Sequence, residues 1–308
     1  MNKILIIAGP TASGKTEFAI KCAQEFNGEI ISADSMQIYK KLNIGTAKPS
    51  KEETRQAVHH LIDFVDPSEI FSVQQYVSCA KTEIDNIISR GKLPIIVGGT
   101  GLYIKSLIYP YSFAQSPKNE DLRNELKKLA EEKGIDYIYS LLETKDPESA
   151  YKIHPRDTKR VIRALEICMS TGKKKSELNT EENKKEYDYL MLVLSPDRKI
   201  LYDKINNRVD KMFDLGLEEE IKTLVNNKEV SKESQCMQAI GYKEFFDYFE
   251  NNTTYEELKE SIKKHSRNYA KRQITFFRGF EDAIWLNDED SKTKSFLAIK
   301  QFIKNEGE

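Results

Sequence analysis

Eight residues near the N-terminus have the types and the spacing to hold a polyphosphate: Gly9-Pro10-Thr11-Ala12-Ser13-Gly14-Lys15-Thr16. Gly9 and Gly14 let the backbone curl so that successive N–H groups point inward. Lys15 supplies a point positive charge. Thr16 falls in the first turn of the helix that follows, where its hydroxyl can hold a magnesium ion and the helix N-terminus adds partial positive charge. The candidate phosphate contacts are therefore Gly9, Thr11, Ala12, Ser13, Gly14, Lys15 and Thr16. The loop does not say which molecule carries the phosphates, and that decides the chemistry.

Two other residues have the chemistry and the placement to act beside it. Asp34 follows a stretch over 29–33 that reads as a short buried strand. Thr100 follows the apolar run 94–97 and two glycines. In a parallel sheet, ligands gather at the carboxyl ends of strands, which puts both residues on the rim that carries Gly14. Asp34 also reads as a turn cap, and Gly98-Gly99-Thr100-Gly101 as a tight strand-to-helix turn. The pair His59-His60 makes a poor chelate, because adjacent strand residues point to opposite faces. Cys22, Cys79, Cys168 and Cys236 are too scattered for a zinc site or a disulfide framework. No apolar run is long enough for a signal peptide or a membrane span, so a soluble cytoplasmic protein is expected.

The elements that must position these residues alternate strand and helix. Buried strands are predicted over 4–8, 29–33, 59–64, 94–97, 189–194 and 283–286. Helices are predicted after the glycine loop and over 73–89, 197–213, 218–225 and 255–278, with a loop at 44–49. From 111 to 185 strand signals vanish, and polar helices are predicted over 119–133, 136–143, 147–152 and 155–170. The fold class is α/β: a P-loop NTPase-like parallel sheet flanked by helices (1–110 and 186–308) with an inserted all-helical subdomain (111–185). A chain of 308 residues with 39% hydrophobic residues can bury that core. The formal net charge of −1 leaves nucleic acid open, because only local clustering matters. Two clusters exist. Lys152, Arg156, Lys159, Arg160 and Arg163 gather on the insertion. On the last long helix, Lys264, Arg267, Lys271 and Arg278 form a stripe beside Leu258, Ile262, His265, Tyr269 and Phe276, which have core-facing spacing. Each stripe reads as a solvated face or as a polyanion footprint.

Seven strings in fixed order carry a family resemblance: GPTASGKT (9–16), SADSMQIY (32–39), IGTAKP (44–49), VGGTGLY (97–103), IHPRDTKRVIRALE (153–166), QAIGYKE (238–244) and RNYAKRQITFFR (267–278). Together they resemble the bacterial tRNA dimethylallyltransferases, also called isopentenyl-tRNA transferases. The resemblance implies transfer of a dimethylallyl group from its diphosphate to N6 of the adenosine immediately 3′ of the anticodon, in tRNAs reading U-initial codons. The glycine loop then holds the prenyl diphosphate in place of ATP, with Arg208 as a further contact and magnesium on Thr16. Asp34 accepts the amine proton, and Thr100 aligns donor and amine. Asp34, Ser35, Met36, Gln37 and Thr100 meet the target base and its neighbours. Arg123, Lys159, Arg160, Arg163, Gln238, Gly241, Tyr242 and Lys243 grip the anticodon stem-loop, with Gln37 and Gln238 suited to reading bases. Some relatives carry arginine at the positions of Gln238 and Lys243, and tryptophan at Phe276. A P-loop kinase and a prenyltransferase acting on free adenylate share the loop. The basic insertion argues against a free nucleotide, which needs no such surface, and a monomer is the default expectation.

Overall fold

A computed structural model describes residues 1–109, 119–177 and 185–305. The backbone forms two compact units, Met1–Ile108 with Tyr187–Glu308, and Tyr109–Glu186.

The first unit is built on six parallel strands: β1 (Lys3–Ala8), β2 (Gly28–Ser32), β3 (His59–His60), β4 (Leu93–Gly98), β5 (Asp188–Leu194) and β6 (Ile284–Leu286), in the order β3-β2-β4-β1-β5-β6. The central strands read as unbroken apolar runs because both faces are covered. On one face, α1 (Lys15–Glu25) and α13 (Glu289–Lys304) close over Leu5, Ile7, Ile95, Val97, Leu192 and Leu194. Ile4, Ile6, Ile31 and Ile96 are equally buried and point the other way, where α3 (Val73–Ser89) lies against β2 and β4.

The register aligns the rim. Ala8 pairs with Gly98, and Ser32 with Val97, so the chain leaves β1 at Gly9, β2 at Ala33-Asp34 and β4 at Gly99-Thr100 along one edge. The other end of the sheet is closed by ions. Glu29 accepts from Arg90 (2.7 Å), Lys92 (2.8 Å) and His60 Nε2 (2.7 Å). Burial pushes the Glu29 carboxyl up, but Lys92, Arg90 and His60 outweigh it and hold it down at about 2. The paired histidines are thus structural, with His59 Nδ1 2.8 Å from the Ala57 carbonyl.

Some local expectations are corrected. α2 (Lys51–Gln56) follows the 44–49 loop, set by a capping box between Ser50 and Glu53. The helix expected from Pro155 starts instead at Thr158, because Asp157 caps it by accepting from the Arg160 N–H. α12 (Tyr255–Phe277) buries Phe277 and leaves Phe276 exposed, the reverse of the expected packing. His265 is also part-exposed and bonds Glu244 at 2.7 Å.

The second unit packs α5 (Glu120–Lys133), α6 (Ile135–Lys145), α7 (Pro147–Lys152) and α8 (Thr158–Thr171) around Leu126, Ile138, Leu142, Val161 and Leu165. Glu166 on α8 is fully buried and accepts from the Asn119 N–H (2.9 Å) and from Arg123 (2.7 Å), with Arg163 at 2.8 Å. Burial raises the Glu166 carboxyl, and these partners bring it to a net lowering. Among the described residues, no helix is long and apolar enough to cross a membrane.

Candidate active site

A cavity of about 690 Å3 opens on the rim of the first unit, floored by the glycine loop. The loop departs from β1 through Gly9 at φ 146°, where an added Cβ would lie 2.5 Å from the Leu194 carbonyl oxygen. Ala12 also has a positive φ, of 61°, and the αL turn it makes bends the chain into a concave, anion-seeking shape. Lys15 opens α1 and donates to the Pro10 carbonyl at 2.6 Å. Lys15 is part-buried on the cavity floor, and its pKa is lowered to about 7, first by burial and then by Arg208, against the opposing pull of Asp34.

Arg208 comes from α9 (Arg198–Asp214) and donates to the Thr46 carbonyl at 3.3 Å. Burial lowers its pKa too, with Asp34 opposing. Two cations therefore share one cavity floor with Asp34, the carboxylate whose charge acts on both. Lys204, Lys243 and Arg272 add positive charge to the lining and Glu17 and Glu53 negative charge, which leaves the cations in excess; Arg272 lies 5.6 Å from the Tyr269 ring centroid. That excess of positive charge around Lys15 and Arg208 suits an anion of more than one charge.

Asp34 lines the same cavity. Its Oδ1 accepts from the N–H groups of Met36 (2.9 Å) and Gln37 (3.3 Å), so it is a turn cap through one oxygen and leaves the other for chemistry. Thr100 brackets it. The Thr100 N–H donates to Ala33 O (3.1 Å), and Thr100 Oγ1 accepts from the Ser35 N–H (3.0 Å). The Tyr269 hydroxyl lies against Thr100 and Gln273. Burial first, and then the Asp34 charge, push its pKa up to about 12, which keeps it a neutral hydrogen-bonding group.

A family model described as IPP transferase matches residues 37–280. A tRNA dimethylallyltransferase of Bacillus cytotoxicus is 47% identical over 298 residues, 96% of this chain and 94% of that protein. The chain belongs to the IPP transferase family. Among solved structures, the full-length tRNA isopentenylpyrophosphate transferase of Bacillus halodurans superposes with a TM-score of 0.72 at 41% identity, covering 98% of this chain and 96% of that one. A eukaryotic dimethylallyltransferase captured acting on tRNA gives a TM-score of 0.84 at 33% identity, covering 100% of this chain and 81% of its own.

Within this member of the family, the residues singled out from sequence divide by environment. Thr11, Ala12, Ser13, Gly14, Lys15, Thr16, Asp34, Ser35, Met36, Gln37, Arg208, Gln238, Gly241 and Lys243 all line the cavity. Gln37 is committed to the protein: its Nε2 donates to Thr46 O (3.2 Å) and Ala47 O (3.1 Å), and its Oε1 accepts from the Ser32 hydroxyl at 3.3 Å. A base-reading role for its amide NH2 is thereby corrected, since both protons are used. Tyr242 is corrected as well. It is fully buried, and its hydroxyl donates to Glu220 at 2.7 Å, so it offers no surface to RNA. The same Glu220 carboxylate accepts from the N–H groups of Asn43 (2.8 Å), Ile44 (2.8 Å) and Gly45 (3.3 Å), which sets the turn whose Thr46 carbonyl receives Arg208.

On the second unit, Arg123 and Arg163 neutralise Glu166 inside the bundle, and Arg160 pairs with Asp157 at 3.3 Å. Lys159 and Arg156 are exposed and have no carboxylate partner among the described residues. Sequence reasoning missed Lys204, Arg272, Gln273 and Glu220, and took Tyr269 for a core residue. The RNYAKRQ string carried the only local signal, for Tyr269, Arg272 and Gln273.

Proposed function

We propose that this cavity transfers the dimethylallyl group of dimethylallyl diphosphate to N6 of an adenosine in tRNA, the one immediately 3′ of the anticodon in tRNAs reading U-initial codons. The observation that supports it best is the pairing of two part-buried cations, Lys15 and Arg208, with a carboxylate, Asp34, that keeps an oxygen free. The cations suit a diphosphate leaving group. The carboxylate suits an acceptor that must lose a proton.

The adenine amine is a weak nucleophile, because its lone pair is delocalised into the ring. In the step, that lone pair forms a bond to the allylic C1 of the donor. The C1–O bond breaks, and its electron pair leaves with diphosphate. Lys15, Arg208 and the loop N–H groups stabilise the growing charge without reorganising. Asp34 takes the amine proton, a role typically worth about 10²–10⁴ in rate. The base must leave its stack to bring N6 to the donor. The residues also fit magnesium. Thr16 offers one hydroxyl on the cavity, and no cluster of three carboxylate, imidazole or thiol ligands exists among the described residues. That donor set suits an ion that keeps most of its waters and binds phosphates. When bound, magnesium supplies further charge neutralisation on the diphosphate.

The test is to incubate the protein with unmodified tRNA, magnesium and dimethylallyl diphosphate, digest the RNA and weigh the nucleosides. One adenosine per susceptible tRNA is expected to gain a dimethylallyl group, and ATP is not expected to be consumed. Phosphoryl transfer from ATP with no prenylated adenosine would favour the kinase reading.

A further inference from the structure

Gln273 sits in the middle of α12 and is 6% exposed. A buried amide must satisfy both its halves. Here each half meets a different catalytic loop. Its Oε1 accepts from the Thr11 N–H of the phosphate loop at 2.9 Å, and its Nε2 donates to the Gly99 carbonyl at 2.9 Å. The amide has only one workable orientation, because a flip would set N–H against N–H and oxygen against oxygen. Gly99 is glycine for the same reason: an added Cβ would lie 2.2 Å from Gln273 Nε2.

The Gly99 carbonyl belongs to the peptide linked to Thr100, and Thr100 holds both flanks of Asp34, through Ala33 O and the Ser35 N–H. The connection therefore runs from the phosphate loop, through one side chain, to the carboxylate. Thr11 has also lost its N–H to this contact, so that donor is not among those left for a phosphate.

We infer that Gln273 is a positioning residue that fixes the distance between the phosphate loop and Asp34, and hence between the leaving group and the acceptor amine. This rests on the function proposed above. It is the only described side chain whose hydrogen bonds join the two glycine loops. In a reaction where donor and acceptor must be aligned, a displacement of about 1 Å costs on the order of 10²-fold in rate while leaving each substrate bound.

The test uses the full chain with Gln273→Met, which keeps length and apolar packing, and Gln273→Glu, which keeps the acceptor for Thr11 but sets an oxygen against the Gly99 carbonyl. Amide hydrogen exchange is measured first, without substrates. Gln273→Met is expected to speed exchange of the Thr11 and Ser35 amides at least tenfold, and Gln273→Glu that of Ser35 alone. In steady-state prenylation, kcat is expected to fall on the order of 10²-fold in both variants. Both KM values are expected to stay within about threefold. Thr100→Val added to Gln273→Met should lower kcat by less than the product of the two single effects, since both act on Asp34. The inference is overturned by Thr11 and Ser35 amides that exchange as in the unmodified protein, by a kcat within twofold, or by losses that simply multiply. If the unmodified protein prenylates nothing while its Thr11 and Ser35 amides respond as expected, the clamp stands and the proposed reaction falls.

Discussion

Lys15 is the group whose state must change most when an anion arrives. In the ligand-free protein, burial and Arg208 hold its pKa at about 7. At pH 8 about one-tenth of molecules then carry the charge, and at pH 6 about nine-tenths. A bound diphosphate replaces the missing solvation and adds opposite charge, which returns Lys15 towards its ordinary 10.5. Binding at pH 8 therefore takes up about 0.9 proton per site. The donor itself supplies none there, because a terminal phosphate with a pKa of about 6 is already ionised. The sign is fixed: the Lys15 contribution to donor affinity is flat below pH 7 and falls by up to about tenfold per pH unit above it. Isothermal titration with dimethylallyl diphosphate at pH 8, in Hepes and in Tris, reads the uptake from the dependence of the heat on buffer ionisation enthalpy. Lys15→Met should abolish the uptake. At pH 6, the difference between the unmodified protein and this variant should shrink to about 0.1 proton. No uptake at pH 8, or the same uptake in Lys15→Met, would refute the reasoning.

Other outcomes follow from the same contacts. Lys15→Met removes a buried charge as well as a catalytic one. The ligand-free variant is expected to gain about 2–4 °C in Tm at pH 7 per kcal/mol of desolvation relieved, while losing turnover; a lower Tm would contradict the burial argument. The depressed pKa also makes the unfolded state bind more protons between pH 7 and 10.5, so this stability gap should narrow as pH rises. Tyr242→Phe removes the bond to Glu220 and is expected to cost about 1–2 kcal/mol in urea unfolding with tRNA affinity unchanged; a tenfold loss of affinity would restore Tyr242 to the RNA surface. Binding of tRNA should weaken steeply with salt, and Lys159→Ala should lower the log–log slope by about one, whereas Arg163→Ala should chiefly destabilise the helical unit.

The strands, the glycine loop and most helices were legible because their signals are local. Runs such as Ile4-Leu5-Ile6-Ile7 are apolar on both faces because the sheet is covered on both, and register alone then brings Asp34, Thr100 and Lys15 to one rim. The helix after Ser50 has a local signal, the Ser50…Glu53 capping box, that the reading of the sequence did not include. Phe276 was expected on the core face that Phe277 occupies, an offset of one residue, which on a helix is a rotation of about 100°. Gln37, Tyr242 and Gln273 could not be judged locally. What decides them is a partner far along the chain, such as the Glu220 carboxylate on α10 (Leu217–Asn226), which holds the turn at Asn43–Gly45, or the Thr11 N–H 262 positions from Gln273. The same holds for Arg123 and Arg163, whose charge is matched to a buried glutamate that looks, in sequence, like any other helical Glu.

Asp34→Asn gives the most direct test of the chemistry. The asparagine oxygen can still accept from the N–H groups of Met36 and Gln37, so the turn survives while the proton acceptor is lost. With saturating donor and tRNA, single-turnover prenylation is expected to slow by about 10²–10⁴, with the tRNA dissociation constant within about twofold. Turnover that survives the substitution, or tRNA binding that vanishes with it, would contradict a carboxylate that takes the amine proton.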